Sequence, residues 1–279
     1  MYETFFGLRE PAFSLTPDPR FLWPSETHQE GYAALYYGIT RRKGFLLLTG
    51  DVGTGKTTLL RAVLSEIPQE IEVALLMNTA DLDGIDLFKL IAAELRLEGH
   101  FATRADYLIA LNRFLLARLD RGLNTVLVID EAQNLDRRLL EQVRLLSNLE
   151  TATEKLLQIV LTGQPELRDV LASPELSPLR QRIALEHHIQ RLRPTEILPY
   201  LRHRIEVAGA RLEDVFAPGC EEIFYAFSAG CPRLVNLLAD RSLLAGFSRQ
   251  ERLIRPPLLE KKAKEMAEQQ ARDPLDPRR

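Results

Sequence analysis

Gly50-Asp51-Val52-Gly53-Thr54-Gly55-Lys56-Thr57-Thr58 is the stretch on which the fold turns. Its first eight residues fit the pattern Gly-x-x-x-x-Gly-Lys-[Ser/Thr]. An apolar run, Phe45 to Thr49, precedes it and reads as a strand, and the residues from Thr57 to Ser65 have helical spacing. Glycines let a backbone wrap closely round phosphate oxygens, while main-chain N–H groups and a positive helix N-terminus supply an anion nest. In such a loop Gly50, Asp51, Val52, Gly53, Thr54 and Gly55 wrap the phosphates, with Thr58 just inside the helix. Lys56 reaches the β- and γ-phosphates and the Thr57 hydroxyl ligates Mg²⁺.

Downstream, Val126-Leu127-Val128-Ile129 is fully apolar and ends in adjacent carboxylates, Asp130-Glu131. A strand of that composition is buried on both faces and delivers its last residues to the carboxyl edge of a parallel sheet, beside the phosphates. There Asp130 is the second expected Mg²⁺ ligand, and Glu131 accepts a hydrogen bond from the attacking water. A further apolar strand, Gln158 to Thr162, runs into Gly163-Gln164-Pro165, so Thr162 or Gln164 is expected to place a hydrogen bond on the γ-phosphate or that water. Arg180 and Arg182 precede a fifth strand candidate. Phosphoryl transfer gains most from a cation delivered to developing charge, often by a neighbouring subunit, and Arg182 is the first choice for that role, Arg180 the second. Gly230-Cys231-Pro232-Arg233 reads as a turn opening a helix, which can aim Arg233 at the nucleotide. His187 and His188 lack partners at metal-ligand spacing and read as structural.

The strand candidates are Phe45 to Thr49, Val73 to Met77, Thr125 to Asp130, Gln158 to Thr162 and Ala184 to Gln190, separated by helical patterns. That alternation predicts an α/β fold, a parallel sheet with helices on both faces. Past Pro194 the strand signals stop. Glu196 to Gly209, Pro218 to Gly230 and Arg233 to Ser248 read as helices. The expected organisation is a nucleotide-binding domain over residues 1–193, including a Pro- and aromatic-rich opening, a helical lid over 194–250, and a charged, solvated helix with a frayed tail over 251–279.

The 279 residues, 46% hydrophobic, suffice for a sizeable core. With 36 Lys and Arg against 39 Asp and Glu, the net charge of -3 supplies no global attraction for nucleic acid. Cys220 and Cys231 fit neither a redox motif nor a zinc cluster and read as reduced thiols. No signal peptide or membrane-spanning run is apparent, so the expected location is cytoplasmic, with attachment at the inner membrane through a partner as an option.

Together these blocks resemble the AAA+ ATPases, P-loop NTPases with a C-terminal helical lid, and among them the ExeA-like or general secretion pathway A group. The opening Tyr2-Glu3-Thr4-Phe5-Phe6-Gly7-Leu8 and Pro11-Ala12-Phe13-Ser14-Leu15-Thr16-Pro17-Asp18-Pro19 carry the resemblance. So do Ile129-Asp130-Glu131-Ala132-Gln133-Asn134-Leu135, Leu161-Thr162-Gly163-Gln164-Pro165-Glu166-Leu167, Gln181-Arg182-Ile183 and Gly230-Cys231-Pro232-Arg233-Leu234-Val235-Asn236. The resemblance implies ATP rather than GTP, a homo-oligomer in which Arg182 serves a neighbour's site, Arg233 as the lid arginine on the phosphates, and a role in assembling type II secretion or mannose-sensitive haemagglutinin pilus machinery. Larger members continue into a membrane span and a peptidoglycan-binding domain; the short MshM-like branch is the nearer comparison. Two alternatives stand beside this reading: a nucleic-acid-linked ATPase of the transposition-helper type, which calls for a basic stripe or an added DNA-binding module, and a scaffold switched by ATP binding with little hydrolysis.

Overall fold

Leu46-Leu47-Leu48, Val126 to Ile129 and Ile159 to Leu161 are unbroken apolar runs, and a strand with no polar face is stable only with both faces covered. In the computed structural model, which describes residues 1–77, 79–80 and 82–271, these runs form the three inner strands of a five-stranded sheet. Along the chain the elements are α1 (Tyr2–Phe5), α2 (Glu26–Thr40), β1 (Phe45–Gly50), α3 (Lys56–Glu66), β2 (Ile71–Leu76), α4 (Gly84–Glu94), α5 (Arg104–Leu119), β3 (Asn124–Ile129), α6 (Arg137–Leu146), β4 (Gln158–Gly163), α7 (Pro165–Leu171), α8 (Ser177–Arg180) and β5 (Ile183–Ile189). They continue with α9 (Ile197–Val207), α10 (Leu212–Val215), α11 (Cys220–Ser228), α12 (Pro232–Ser248) and α13 (Pro256–Ala271). The strand order is β2-β3-β4-β1-β5, and all four pairings are parallel.

The chain divides into two compact units. One comprises residues 26–51 and 59–189 and holds the sheet; the other comprises residues 1–25, 52–58 and 190 onward. This division differs from the expected boundary at 193, because the amino-terminal segment belongs to the helical unit.

In the sheet unit, every residue of β1, β3 and β4 is buried. One face of the sheet packs Phe45, Leu47, Leu127, Ile129, Ile159 and Leu161 against Leu87, Phe88 and Ile91 of α4, Leu111 and Leu115 of α5, and Leu139, Leu140 and Val143 of α6. Burying each such side chain contributes about 1.5–3 kcal/mol. α2 lies close to β1 and β5, and two of its residues explain how: a Cβ added at Gly38 would fall 2.4 Å from Leu46 Cδ2, and one at Gly31 would fall 2.9 Å from His187 Cδ2. Seven residues apart, the two glycines occupy one helix face. The helices are capped by side chains: Asp83 accepts from Ile85 and Asp86 N–H, Thr103 and Asp106 form a capping box on α5, and Asp136 accepts from Leu139 N–H on α6.

The second strand differs most from expectation. It starts at Ile71 rather than Val73, since Ile71 and Glu72 pair with Asn124 and Thr125, and it ends before the exposed Met77. Asp130 lies one residue past β3, although its N–H still donates to Leu76 O at 2.9 Å.

The helical unit has its own core, in which Phe6, Leu8, Ala12, Phe13 and Phe21 of the opening segment pack with Ile197, Leu201 and Ile205 of α9, Phe224 of α11 and Leu238 of α12. Arg204 organises the amino-terminal strap. Only 7% exposed, its guanidinium donates to Ala12 O (2.7 Å), Ser14 O (3.2 Å) and Phe21 O (3.4 Å) and stands over the Phe13, Phe21 and Tyr200 rings. Carbonyls and aromatic faces thus replace its hydration. α13 is not merely a solvated helix, because Leu258, Leu259 and Met266 are buried in this same core. The expected tail beyond residue 271 lies outside the described residues.

Candidate active site

Register brings the acidic pair to β4. Ile129 of β3 faces Leu161 of β4, so Asp130 follows beside Thr162, while Leu48 of β1 faces Thr162 from the other side. The next residues of β1, Thr49 and Gly50, open the phosphate loop. Thr162, fully buried, donates its hydroxyl to Asp130 Oδ1, and Glu131 N–H donates to the same oxygen at 3.0 Å. Asp130 is 2% exposed, and a carboxylate so placed requires donors or a cation. Thr79 Oγ1 donates toward the carbonyls of Asp130 and Glu131 at 3.4 and 3.2 Å, anchoring the turn.

Glu131 has φ 53° and ψ 42°, the left-handed region, which non-glycine residues adopt at a cost of order 1–3 kcal/mol. Its carboxylate is held at one end. Gln133 Nε2 donates to Glu131 Oε2, Gln164 Nε2 donates to the same oxygen at 3.3 Å, and Gln133 Oε1 accepts Gln164 N–H at 3.0 Å. Thr162 and Gln164, expected to face the γ-phosphate, are therefore engaged with the two carboxylates themselves.

Residues 52–58 of the glycine-rich loop lie in the helical unit together with the turn before α12. Gly53 and Gly55 have φ of 78° and 98°, the backbone freedom for which the loop needs glycine. Arg233 N–H donates to Gly53 O at 3.2 Å, and the Cys231 thiol donates to Val52 O at 3.5 Å. A Cβ at Gly53 would stand 2.6 Å from Arg233 Cβ, so close approach of this turn also demands glycine there. Behind it, Gly230 at φ 77° pairs with Leu192, whose N–H donates to Gly230 O at 2.9 Å. Arg233 is thus tied to the loop by its backbone, and its side chain is exposed. Lys56 is buried at 5% exposure and Thr57 half-buried, both in the first turn of α3.

The two finger candidates behave differently. Arg182 is tied within its own chain: Nη1 donates to Ser147 Oγ, to Asn148 Oδ1 at 2.6 Å and to Arg144 O at 3.4 Å, capping the carboxyl end of α6. Arg180, at the end of α8, is exposed and makes no hydrogen bond or ion pair with the described residues. The histidines read as structural have structural partners, His187 Nε2 lying 2.7 Å from Thr27 O and His188 Nδ1 3.0 Å from Thr49 Oγ1. Both cysteines are free and buried, and burial pushes the Cys220 thiol up to about 11.

Sequence reading missed the part played by Gln133. Only its membership of the block Ile129 to Leu135 marked it, and the partner that orients it lies thirty-one residues further on. The donor chemistry present suits the expected ligands. In the sheet unit Asp130 offers carboxylate oxygens of the kind Mg²⁺ prefers; in the other unit Thr57 offers a hydroxyl, and the loop at Gly53 and Gly55 offers main-chain N–H groups suited to phosphate.

Residues 39–171 match the family model described as AAA domain. General secretion pathway protein A of Aeromonas hydrophila is 45% identical over 250 residues, which are 89% of this chain and 45% of that protein. The chain therefore spans a little under half the length of this relative. Among solved structures, Cdc6p from Pyrobaculum aerophilum aligns with a TM-score of 0.71 at 18% identity, covering 91% of this chain and 70% of that one. The ORC2 protein of Aeropyrum pernix, in its ADPNP–ADP complexes, aligns with a TM-score of 0.69 at 14% identity, covering 95% and 75%. At these identities the structural likeness speaks for the fold alone. No helix among the described residues is long and apolar enough to cross a membrane.

Proposed function

We propose, from the premise that this chain belongs to the ExeA-like AAA+ family, that it binds ATP with Mg²⁺ and hydrolyses the β–γ phosphoanhydride to drive assembly or remodelling of an envelope secretion or pilus complex. The observation that carries this reading is the carboxyl edge of the sheet, where Asp130 and Glu131 leave β3 with separate side-chain partners. Asp130 and Thr57 would hold the Mg²⁺, which when bound offsets the charge of the phosphates. Gly50 to Thr58 receive the phosphates on main-chain N–H groups, and Lys56 adds a fixed positive charge. Glu131, through its carboxylate, accepts a hydrogen bond from the attacking water and orients it for in-line attack. Arg233, at the lid turn, is poised to follow the phosphates as the loop fills or empties.

The family relation supports the ATPase reading; the secretion role rests on the relative's printed name. A homo-oligomer in which one copy lends an arginine to the next is part of the same proposal, with Arg180 the available donor and Arg182 the one already engaged.

Nucleotide binding is the first test. Titration with a fluorescent ATP analogue and Mg²⁺ should give saturable binding in the wild type and in Glu131→Gln, and at least roughly tenfold weaker binding in Lys56→Ala, a loss of about 1.4 kcal/mol. Equal affinity in Lys56→Ala would remove the phosphate loop from the account.

A further inference from the structure

We propose that Gln133 is a positioning residue for Glu131, a carboxamide strap that fixes the water-orienting carboxylate to the end of β4. The proposal rests on the ATPase reading above. Three features of the sheet unit support it.

First, the carboxamide has one sensible orientation. Its Oε1 faces the main-chain N–H of Gln164 at 3.0 Å, and a backbone N–H can only donate. The oxygen must therefore point to β4 and the Nε2 to Glu131, which is where it donates to Oε2. Second, the backbone makes room for this strap. A Cβ at Gly163 would stand 2.8 Å from Gln133 Oε1 and 2.7 Å from Leu167 Cδ2. Third, the carboxylate is held from one side only. Both donors, Gln133 and Gln164, converge on Oε2, and Oε1 receives no hydrogen bond from the described residues. A carboxylate pinned by one oxygen presents the other in a fixed direction, the arrangement required of a group that must aim a water to within a fraction of an ångström.

The bland alternative is that Gln133 merely stitches the turn Ala132–Asn134 to β4. Charge chemistry separates the two. Gln133→Glu keeps an acceptor for Gln164 N–H but replaces the donor to Glu131 by a second negative charge. Gln133→Met, of similar length, removes both bonds.

The test measures steady-state ATP hydrolysis, affinity for a fluorescent ATP analogue, and thermal midpoint in wild type, Gln133→Glu, Gln133→Met and Glu131→Gln. The expected result is a fall in kcat of roughly 10- to 100-fold in both Gln133 variants, with KM and analogue affinity within about twofold of wild type and the Gln133→Glu midpoint unchanged. Wild-type kcat in Gln133→Glu overturns the proposal, whether or not Gln133→Met is impaired, because the stitch alone then suffices. A loss confined to KM overturns it as well. A wild type that binds ATP without turnover sinks the ATPase reading and this role with it; turnover in wild type beside normal Gln133→Glu removes only the role of Gln133.

Discussion

Asp130 sits where water hardly reaches, and one of the donors to its carboxylate is the Thr162 hydroxyl. Thr162 comes from a different strand, and it arrives beside Asp130 because parallel register is set by the apolar residues before it, Ile129 against Leu161. Replacing Thr162 by Val keeps the shape and removes the donor, which leaves a buried carboxylate short of one partner. The expected cost is about 1–3 kcal/mol of stability at neutral pH, read as a lower denaturation midpoint, together with slower hydrolysis. An unchanged midpoint would mean that the hydroxyl does not support Asp130. At this scale much was legible: the apolar strand followed by Asp-Glu, and the glycine-rich loop with Lys56 and Thr57, announce their chemistry by residue type and spacing alone. Gln133 and Arg204 did not. A glutamine after an acidic turn, or an arginine within an amphipathic helix, reads as solvated until the fold brings Gln164 N–H or the carbonyls of Ala12, Ser14 and Phe21 to it.

Among the elements, inner strands were easier to locate than edge strands. β1, β3 and β4 each carry an unbroken apolar run, Phe45 to Leu48, Val126 to Ile129 and Ile159 to Leu161, whereas β2 carries Glu72, which tertiary pairing with Thr125 admits into the strand against its propensity. Side chains cap α4, α5 and α6 at their amino ends, and α5 allows a quantitative check. The Asp106 carboxylate accepts N–H groups of Thr103 and Ala102 and the Thr103 hydroxyl, and these bonds, the Thr103 N–H first, hold its pKa below the ordinary 3.8. A lowered folded-state pKa means that the unfolded chain binds the proton more readily. Its stabilising contribution is therefore complete above pH 3.8 and fades as pH falls through the lowered folded value. Denaturation of wild type and Asp106→Asn from pH 6 downward should show a constant gap that narrows only in that acid window. A gap independent of pH would contradict the capping role.

On the scale of the whole chain, the expected partition put residues 1–25 with the nucleotide-binding domain, and the packing puts them with the helices. The cause is physical: five apolar side chains of the opening segment share a core with α9, α11 and α12, and Arg204 ties its backbone. No local periodicity carries that information, because the segment is irregular and its partner helix begins nearly two hundred residues later. Residues 52–58 of the glycine-rich loop likewise group with the turn that opens α12, in the same unit as the carboxyl-terminal helices. The measurement closest to the central claim is Mg²⁺-dependent ATP hydrolysis as a function of protein concentration, in wild type, Glu131→Gln and Arg180→Ala, with and without DNA. Turnover should rise with concentration, be indifferent to DNA, and fall by roughly 10³-fold or more in both variants, the scale associated with a missing arginine supplied in trans. Wild-type protein that binds ATP but hydrolyses none at any concentration would contradict that claim, as would full activity in Glu131→Gln.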